Sequence, residues 1–225
     1  MNISVIIRTK NEEEWLRRCL TGVTNQDYPN VETIVVDSGS SDRTLEIVKK
    51  FDVKLLHYKG IYLPGKALNM GVTHSKGELV AFLSAHCIPL NDKWLERLAA
   101  CFHDPLVAAA YGRQEPLPDS SATDKRDLWT VFGKEARIQK KDYFFHNANS
   151  MIRRDVWNKI KFDETLPSIE DQAWAKKVIA LDRTILYEPH ASVYHHHGIH
   201  QGLEKKRAER VVKVIDLLKR SGDPW

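Results

Sequence analysis

The chain has 225 residues, enough for one α/β domain with a full core and too few for two typical domains and a linker. Hydrophobic residues make up 42% and charged residues 28%, which excludes a disordered chain, and the formal charge of +4 does not imply a nucleic-acid partner. No run of about 18 apolar residues suggests a membrane span. The three cysteines, Cys19, Cys87 and Cys101, lack metal or redox spacing and read as small core or boundary residues.

In chain order, Ile3-Ser4-Val5-Ile6-Ile7 reads as a buried strand, with no signal peptide before it, so a cytoplasmic protein is expected, soluble or peripheral to a membrane. Residues 12–26 follow as a helix with Trp15, Leu16, Cys19, Leu20 and Val23 on one face. Strands at 33–36, 53–56 and 79–83 alternate with helices at 42–51, 66–75 and 92–103. This order predicts a Rossmann-like, mainly parallel central sheet flanked by helices. The second half is less regular. It reads as a strand at 107–111, a Pro/Ser/Asp-rich loop at 116–123, a helix at 124–139 and an extended stretch at 146–153. A helix at 170–181 and strands at 184–187 and 191–195 come next, and a basic amphipathic helix at 203–220 closes the chain.

In open parallel sheets, ligands bind beyond the carboxyl ends of the strands. The residues there are Thr9-Lys10-Asn11-Glu12, Asp37 through Asp42, and Ser84-Ala85-His86. The first stretch is not G-x-G-x-x-G, which disfavours a dinucleotide-binding dehydrogenase, and no P-loop occurs. It is also not the Gly/Arg/Lys-rich loop that a nucleotidyltransferase needs. Asp37 either meets a base or ribose or starts a turn, and Asp42 suits the start of the next helix.

The run Ser4-Val5-Ile6-Ile7-Arg8-Thr9-Lys10-Asn11-Glu12, with Gln26-Asp27-Tyr28-Pro29, Val35 through Asp42 and Gly65-Lys66-Ala67-Leu68-Asn69-Met70-Gly71, resembles family 2 glycosyltransferases of the GT-A fold. Phe82 through Pro89, Asn147 through Arg154 and Glu170 through Ala175 resemble rhamnosyltransferase-like members. The likeness runs from about residue 3 to residue 198. It implies one catalytic domain over 1–225, with a nucleotide-binding half at about 1–110 and a donor-sugar and acceptor half at about 111–200.

The resemblance implies that Thr9, Asn11, Glu12 and Asp37 surround the nucleoside. Lys66 and Asn69 would lie near the ribose or pyrophosphate, and Ser84 would join the nucleotide site. Lys66 also reads as a solvated lysine at a helix start. The expected donor is a dTDP- or UDP-sugar and the expected acceptor a glycan or a lipid-linked glycan, in surface polysaccharide or glycolipid synthesis. Asn149 and Trp174 are assigned to the donor-sugar and acceptor side, where a turn role for Asn149 competes.

The family usually places an acid after the fourth strand to hold a divalent cation on the donor diphosphate, and this chain reads Ser84-Ala85-His86. Imidazole serves either as a metal ligand or, when charged, as a partner of phosphate. His86 with His195 or His197 would favour Mn²⁺ over Mg²⁺, and a metal-independent mechanism stays open. In an extended segment His195 and His197 share a face and His196 points away.

For inverting transfer one base takes the acceptor proton. The resemblance makes Asp171 that base and Glu170 an acceptor-binding or orienting group. Against this, Ser168-Ile169-Glu170-Asp171 also reads as a capping box. A catalytically reduced nucleotide-sugar-binding or partner protein is the competing function, supported by the missing acid at position 86. The 203–220 helix suits either a packed helix with a solvated basic face or an anionic membrane surface.

Overall fold

The computed structural model describes residues 1–196 and, beyond them, Val212 alone. His197 and the 203–220 segment therefore lie outside the described residues, apart from that one position. Four strands, β1 (Ile3–Thr9), β2 (Val31–Asp37), β3 (Lys54–His57) and β4 (Leu79–Ser84), pair in parallel in the order β3-β2-β1-β4. Their crossovers are α1 (Leu16–Thr24), α2 (Thr44–Val48) and α3 (Pro64–Thr73). These are the elements expected from the alternation of apolar runs and helical faces.

Helix α1 starts four residues later than its apolar pattern predicts. Asn11 takes a left-handed φ of 54°, and the Glu12 and Glu13 N–H groups donate to Thr44 Oγ1 and Asp42 Oδ2. Residues 12–13 are thus held by the neighbouring loop. Asp42 also accepts the Thr44 N–H at 3.0 Å, which is the helix-start role expected of it. Helix α3 begins with Pro64 at its first turn, where the missing N–H costs nothing.

Beyond β4 the sheet becomes mixed. The short β5 (Cys87–Pro89), not anticipated from the sequence, is followed by α4 (Trp94–Ala100) and β6 (Val107–Pro116). Helix α5 (Ala122–Val131) ends before Gly133, and residues expected to prolong it form β7 (Arg137–Gln139) instead. Then come β8 (Asn149–Arg153), α6 (Arg154–Lys159), α7 (Glu170–Ile179) and β9 (Thr184–His195). The sheet continues β4-β8-β6-β9-β5, with β8 antiparallel to both its neighbours and β9 parallel to β6.

The two strands expected at 184–187 and 191–195 are one strand with a large bulge. Gly112 pairs with Glu188, but Gln114 pairs with Val193, which leaves Pro189 through Ser192 outside the ladder. That offset accommodates a proline within a strand. Gly112 is required there, because a Cβ would sit 1.9 Å from Ala191 O.

Both faces of the sheet are buried. On one, Val5, Ile7 and Val35 meet Leu16, Leu20, Trp94 and Leu98 of α1 and α4. On the other, Ile6, Ile34 and Val36 meet Leu68, Val72, Trp174 and Val178 of α3 and α7. Cys19 and Cys87 are buried and Cys101 half-buried, all three as free thiols, in keeping with their sequence pattern. Among the described residues no helix is long and apolar enough to cross a membrane.

Candidate active site

Strand alternation sends residues at the C-terminal ends of the strands to opposite faces. Thr9 follows the parity of Val5 and Ile7, toward α1. Arg8 follows that of Ile6, toward α3 and α7. The sequence-predicted residues therefore divide into two groups on one rim.

On the α1 face, Glu12 and His86, 74 positions apart, meet at 2.7 Å between Oε1 and Nδ1. Their side chains are only 19% and 14% exposed, so the pair is weakly screened. The His86 ring stacks on His195, with centroids 5.1 Å apart and planes inclined by 8°. His195 shares the face of Ala191 and Val193, whereas His196 stacks on Trp15 at 4.1 Å. His197, expected to share the face of His195, lies outside the described residues.

Nearby, the Asp37 carboxylate accepts N–H bonds from Gly39 (3.0 Å) and Ser40 (3.2 Å) and the Ser40 hydroxyl (2.5 Å). It organises its own turn, the competing reading of that residue, with His57 Nδ1 3.9 Å from its Oδ2. Asn11 ties the β1 and β2 loops together, its Oδ1 accepting the Ser41 N–H at 2.8 Å. Thr9 is 3% exposed, and its hydroxyl has no partner among the described residues. Ser84 ends β4 with its N–H donated to Ala148 O.

On the α7 face, Glu170 and Asp171 open the helix, buried side by side. Arg8 Nη1 lies 3.2 Å from Glu170 Oε1 and 3.3 Å from the Tyr62 hydroxyl. Asp171 accepts the Asn147 N–H (3.1 Å) and the Gln172 N–H (2.9 Å). Burial, then the neighbouring Asp171 charge, pushes the Glu170 pKa up, and Arg8 opposes this. Burial also raises Asp171, against the two N–H bonds and Arg8. Burial would lower the Arg8 pKa, but Tyr62, Glu170 and Asp171 together raise it.

The capping box expected at Ser168 does not form. The residue before the helix is Ile169, with φ 53° and no side-chain cap, and the buried Ser168 hydroxyl has no partner among the described residues. A β-branched residue in the left-handed region costs on the order of 1–3 kcal/mol and persists only where its surroundings impose it. The capping-box explanation of Asp171 therefore fails, while both acids keep the first-turn position that the helix dipole favours.

Three expected ligand contacts are replaced by structural roles. Asn149 is fully buried; its Oδ1 accepts Trp94 Nε1–H, and its Nδ2 donates to Arg113 O and Ala191 O. It satisfies carbonyls freed by the β6/β9 bulge, so its side chain does not reach a sugar. Asn69 accepts from Trp157 Nε1 and Phe162 N and donates to Phe162 O and Glu164, clamping α3 onto the 157–164 segment. Gly65 permits that close approach, since a Cβ would lie 2.1 Å from Asp163 O. Trp174 is 1% exposed, packs on Phe145 and Phe162, and donates to Ile160 O, so it belongs to the core rather than to an acceptor surface. Lys66 is exposed and lines a cavity of about 410 Å³ with Lys59, Lys161 and Glu164.

Arg8 and His146 were not singled out in the sequence. Arg8 could have been, as the only charge in the apolar β1 run. His146 Nδ1 lies 3.1 Å from Gln114 Nε2 and accepts the Ala148 N–H, and no local pattern announces it.

The imidazole–carboxylate couple at position 86 suits a metal of the imidazole-accepting class, because a carboxylate commonly orients a metal-bound histidine. Among the described residues no group of three His, Cys, Asp or Glu side chains could hold an ion, so substrate oxygens would have to complete the coordination.

Comparison with known proteins agrees with this geometry. The sequence matches the family described as glycosyl transferase family 2 over residues 4–161. It is 32% identical over 188 residues to the glycosyltransferase AglE of Haloferax volcanii, covering 78% of this chain and 60% of AglE. It is 29% identical over 214 residues to the O-antigen chain rhamnosyltransferase RfbN of Salmonella typhimurium, covering 88% of this chain and 67% of RfbN. The chain thus spans about three-fifths to two-thirds of these relatives. The mannosyltransferase PcManGT of Pyrobaculum calidifontis, solved with GDP-Man and Mn²⁺, has the same fold at a TM-score of 0.80 and 22% identity, over all of this chain and 66% of its own. With the family match covering well over half of its length, and the same blocks lining the strand ends, the chain belongs to glycosyl transferase family 2 and has the GT-A fold.

Proposed function

We propose that residues 1–225 act as one catalytic domain that transfers a sugar, with inversion, from a nucleotide-sugar to a glycan or lipid-linked acceptor. The observation that carries this reading is the buried Glu170–Asp171 pair that opens α7, with Glu170 bonded to Arg8 at the end of β1; burial raises both pKa values. Asp171 takes the acceptor hydroxyl proton as that oxygen attacks the anomeric carbon. A base whose pKa is raised toward the working pH is the efficient kind. Its two backbone N–H bonds favour the carboxylate form that a base needs. Glu170, fixed by Arg8, orients the acceptor.

The nucleoside lies against Thr9, Asn11 and Asp37, where the Thr9 hydroxyl has no partner among the described residues. His86, held by Glu12, faces the leaving diphosphate. A bound Mn²⁺-type ion there would offset charge on the leaving group, held by His86 and by substrate oxygens. Rhamnosyl transfer from dTDP-rhamnose is the finer reading, supported by the likeness to RfbN, with UDP-sugars next. A site on the inner face of the membrane suits a lipid-linked acceptor.

The test is a panel of UDP-, dTDP- and GDP-sugars with purified protein after EDTA treatment, with Mn²⁺ or Mg²⁺ restored. Release of free nucleoside diphosphate from one donor, better with Mn²⁺ than with Mg²⁺, is expected. No turnover and no binding of any donor would overturn the reading.

A further inference from the structure

We propose that the groove between the end of β6 and the loop after α5 is a saccharide subsite whose platform is Trp129. As the place where the acceptor chain lies, it rests on the glycosyltransferase reading above; as a sugar site, it stands on its own geometry.

Helix α5 buries Leu128 but leaves Trp129 54% exposed, whereas Trp15, Trp94, Trp157 and Trp174 are at most 8% exposed. The exposed indole is held in place. Its Nε1–H donates to Glu115 Oε2 at 3.3 Å, and Glu115 Oε1 lies 2.9 Å from Arg113 Nε. Gly133 and Lys134 complete the wall of a cavity of about 530 Å³. A Cβ at Gly133 would meet no atom within 4 Å, so this side of the groove is open.

A pyranose has an apolar C–H face and a rim of hydroxyls. The first packs on an aromatic face that is rigid at low entropic cost. The second matches a carboxylate and a guanidinium, which accept and donate hydrogen bonds in fixed planes, with an ammonium as a further donor. A groove with one fixed indole and three charged hydrogen-bonding groups suits that amphipathic ligand better than an apolar one.

The groove also connects to the reacting end. Gln114, between Arg113 and Glu115, is fully buried with its amide 3.1 Å from His146 Nδ1. The next residue, Asn147, donates its N–H to Asp171. A sugar on Trp129 therefore lies beside β6, the strand whose Gln114 contacts the His146–Asn147 segment next to Asp171.

The experiment uses the full chain and acrylamide quenching of tryptophan fluorescence. The probes are methyl glycosides of rhamnose, mannose, galactose, N-acetylglucosamine and glucuronate at millimolar concentration. The wild type minus Trp129→Ala difference isolates the Trp129 signal. At least one glycoside should reduce that signal's quenching by about twofold or more. Gly133→Leu, whose Cβ meets no atom within 4 Å, should abolish the protection while its Tm stays near that of the wild type. No protection by any glycoside, or protection that survives Gly133→Leu, would overturn the proposal, the latter pointing to a contact outside the groove. Nucleotide release by the wild type, measured separately, reports the donor reading, so either can fail alone.

Discussion

The two faces of the rim treat charge differently. On the α7 face two adjacent carboxylates lie beside one guanidinium; burial raises both pKa values, the Asp171 charge adds to the rise at Glu170, and Arg8 opposes both. On the α1 face one carboxylate meets one imidazole at 2.7 Å, and each holds the other in place. The first arrangement suits a proton acceptor, whose ionisation must be finely poised. The second suits a fixed group that meets diphosphate, where orientation matters more than poise. Under the proposed function, acid–base chemistry falls on one side of the sheet and leaving-group chemistry on the other.

The sharpest way to break this division is Asp171→Asn. General-base catalysis contributes about 10²–10⁴-fold, so kcat for transfer should fall by that amount while the Kd for nucleoside diphosphate, measured by calorimetry, stays within about twofold. Near-normal turnover would move the base elsewhere. Next in size is the α1 face. Loss of a carboxylate that orients a ligating histidine typically costs about 10–100-fold, so Glu12→Gln should reproduce much of the loss seen in His86→Ala. If Glu12→Gln acts by weakening nucleoside binding alone, the two variants will differ in KM for the donor rather than in kcat.

Arg8→Gln sharpens the α7 face. Arg8 lowers the pKa of both acids, so its removal raises them further. The base works deprotonated, so the acid limb of the pH–kcat profile should move to higher pH, with the plateau reached later. A limb that stays in place would separate Arg8 from the base. The smallest catalytic effect is expected from Asn149→Ala. It strands buried partners in the bulge and should lower stability by roughly 1–3 kcal/mol, read as a shift in Tm. Donor KM should hardly change below that temperature. A large KM effect would restore Asn149 to the sugar site.

Much of this was legible in local sequence. Apolar runs of period two and helical faces of period 3.6 define the first four strands and their crossovers, because those periodicities are set by the backbone. Parallel order then marks Thr9, Asp37 and Ser84 as strand-end residues. Only the tertiary structure could join Glu12 to His86 across 74 positions, or Arg8 to Glu170 across 162. It also reassigned Asn69, Asn149 and Trp174. Motif position says that a side chain lies near the site, but hydrogen-bond saturation decides whether it can reach a ligand, and the partners concerned come from distant segments. The left-handed Ile169 and the β6/β9 bulge belong to the same class. Nothing in a four-residue window specifies them, since the neighbours that impose them are brought together only when the chain folds.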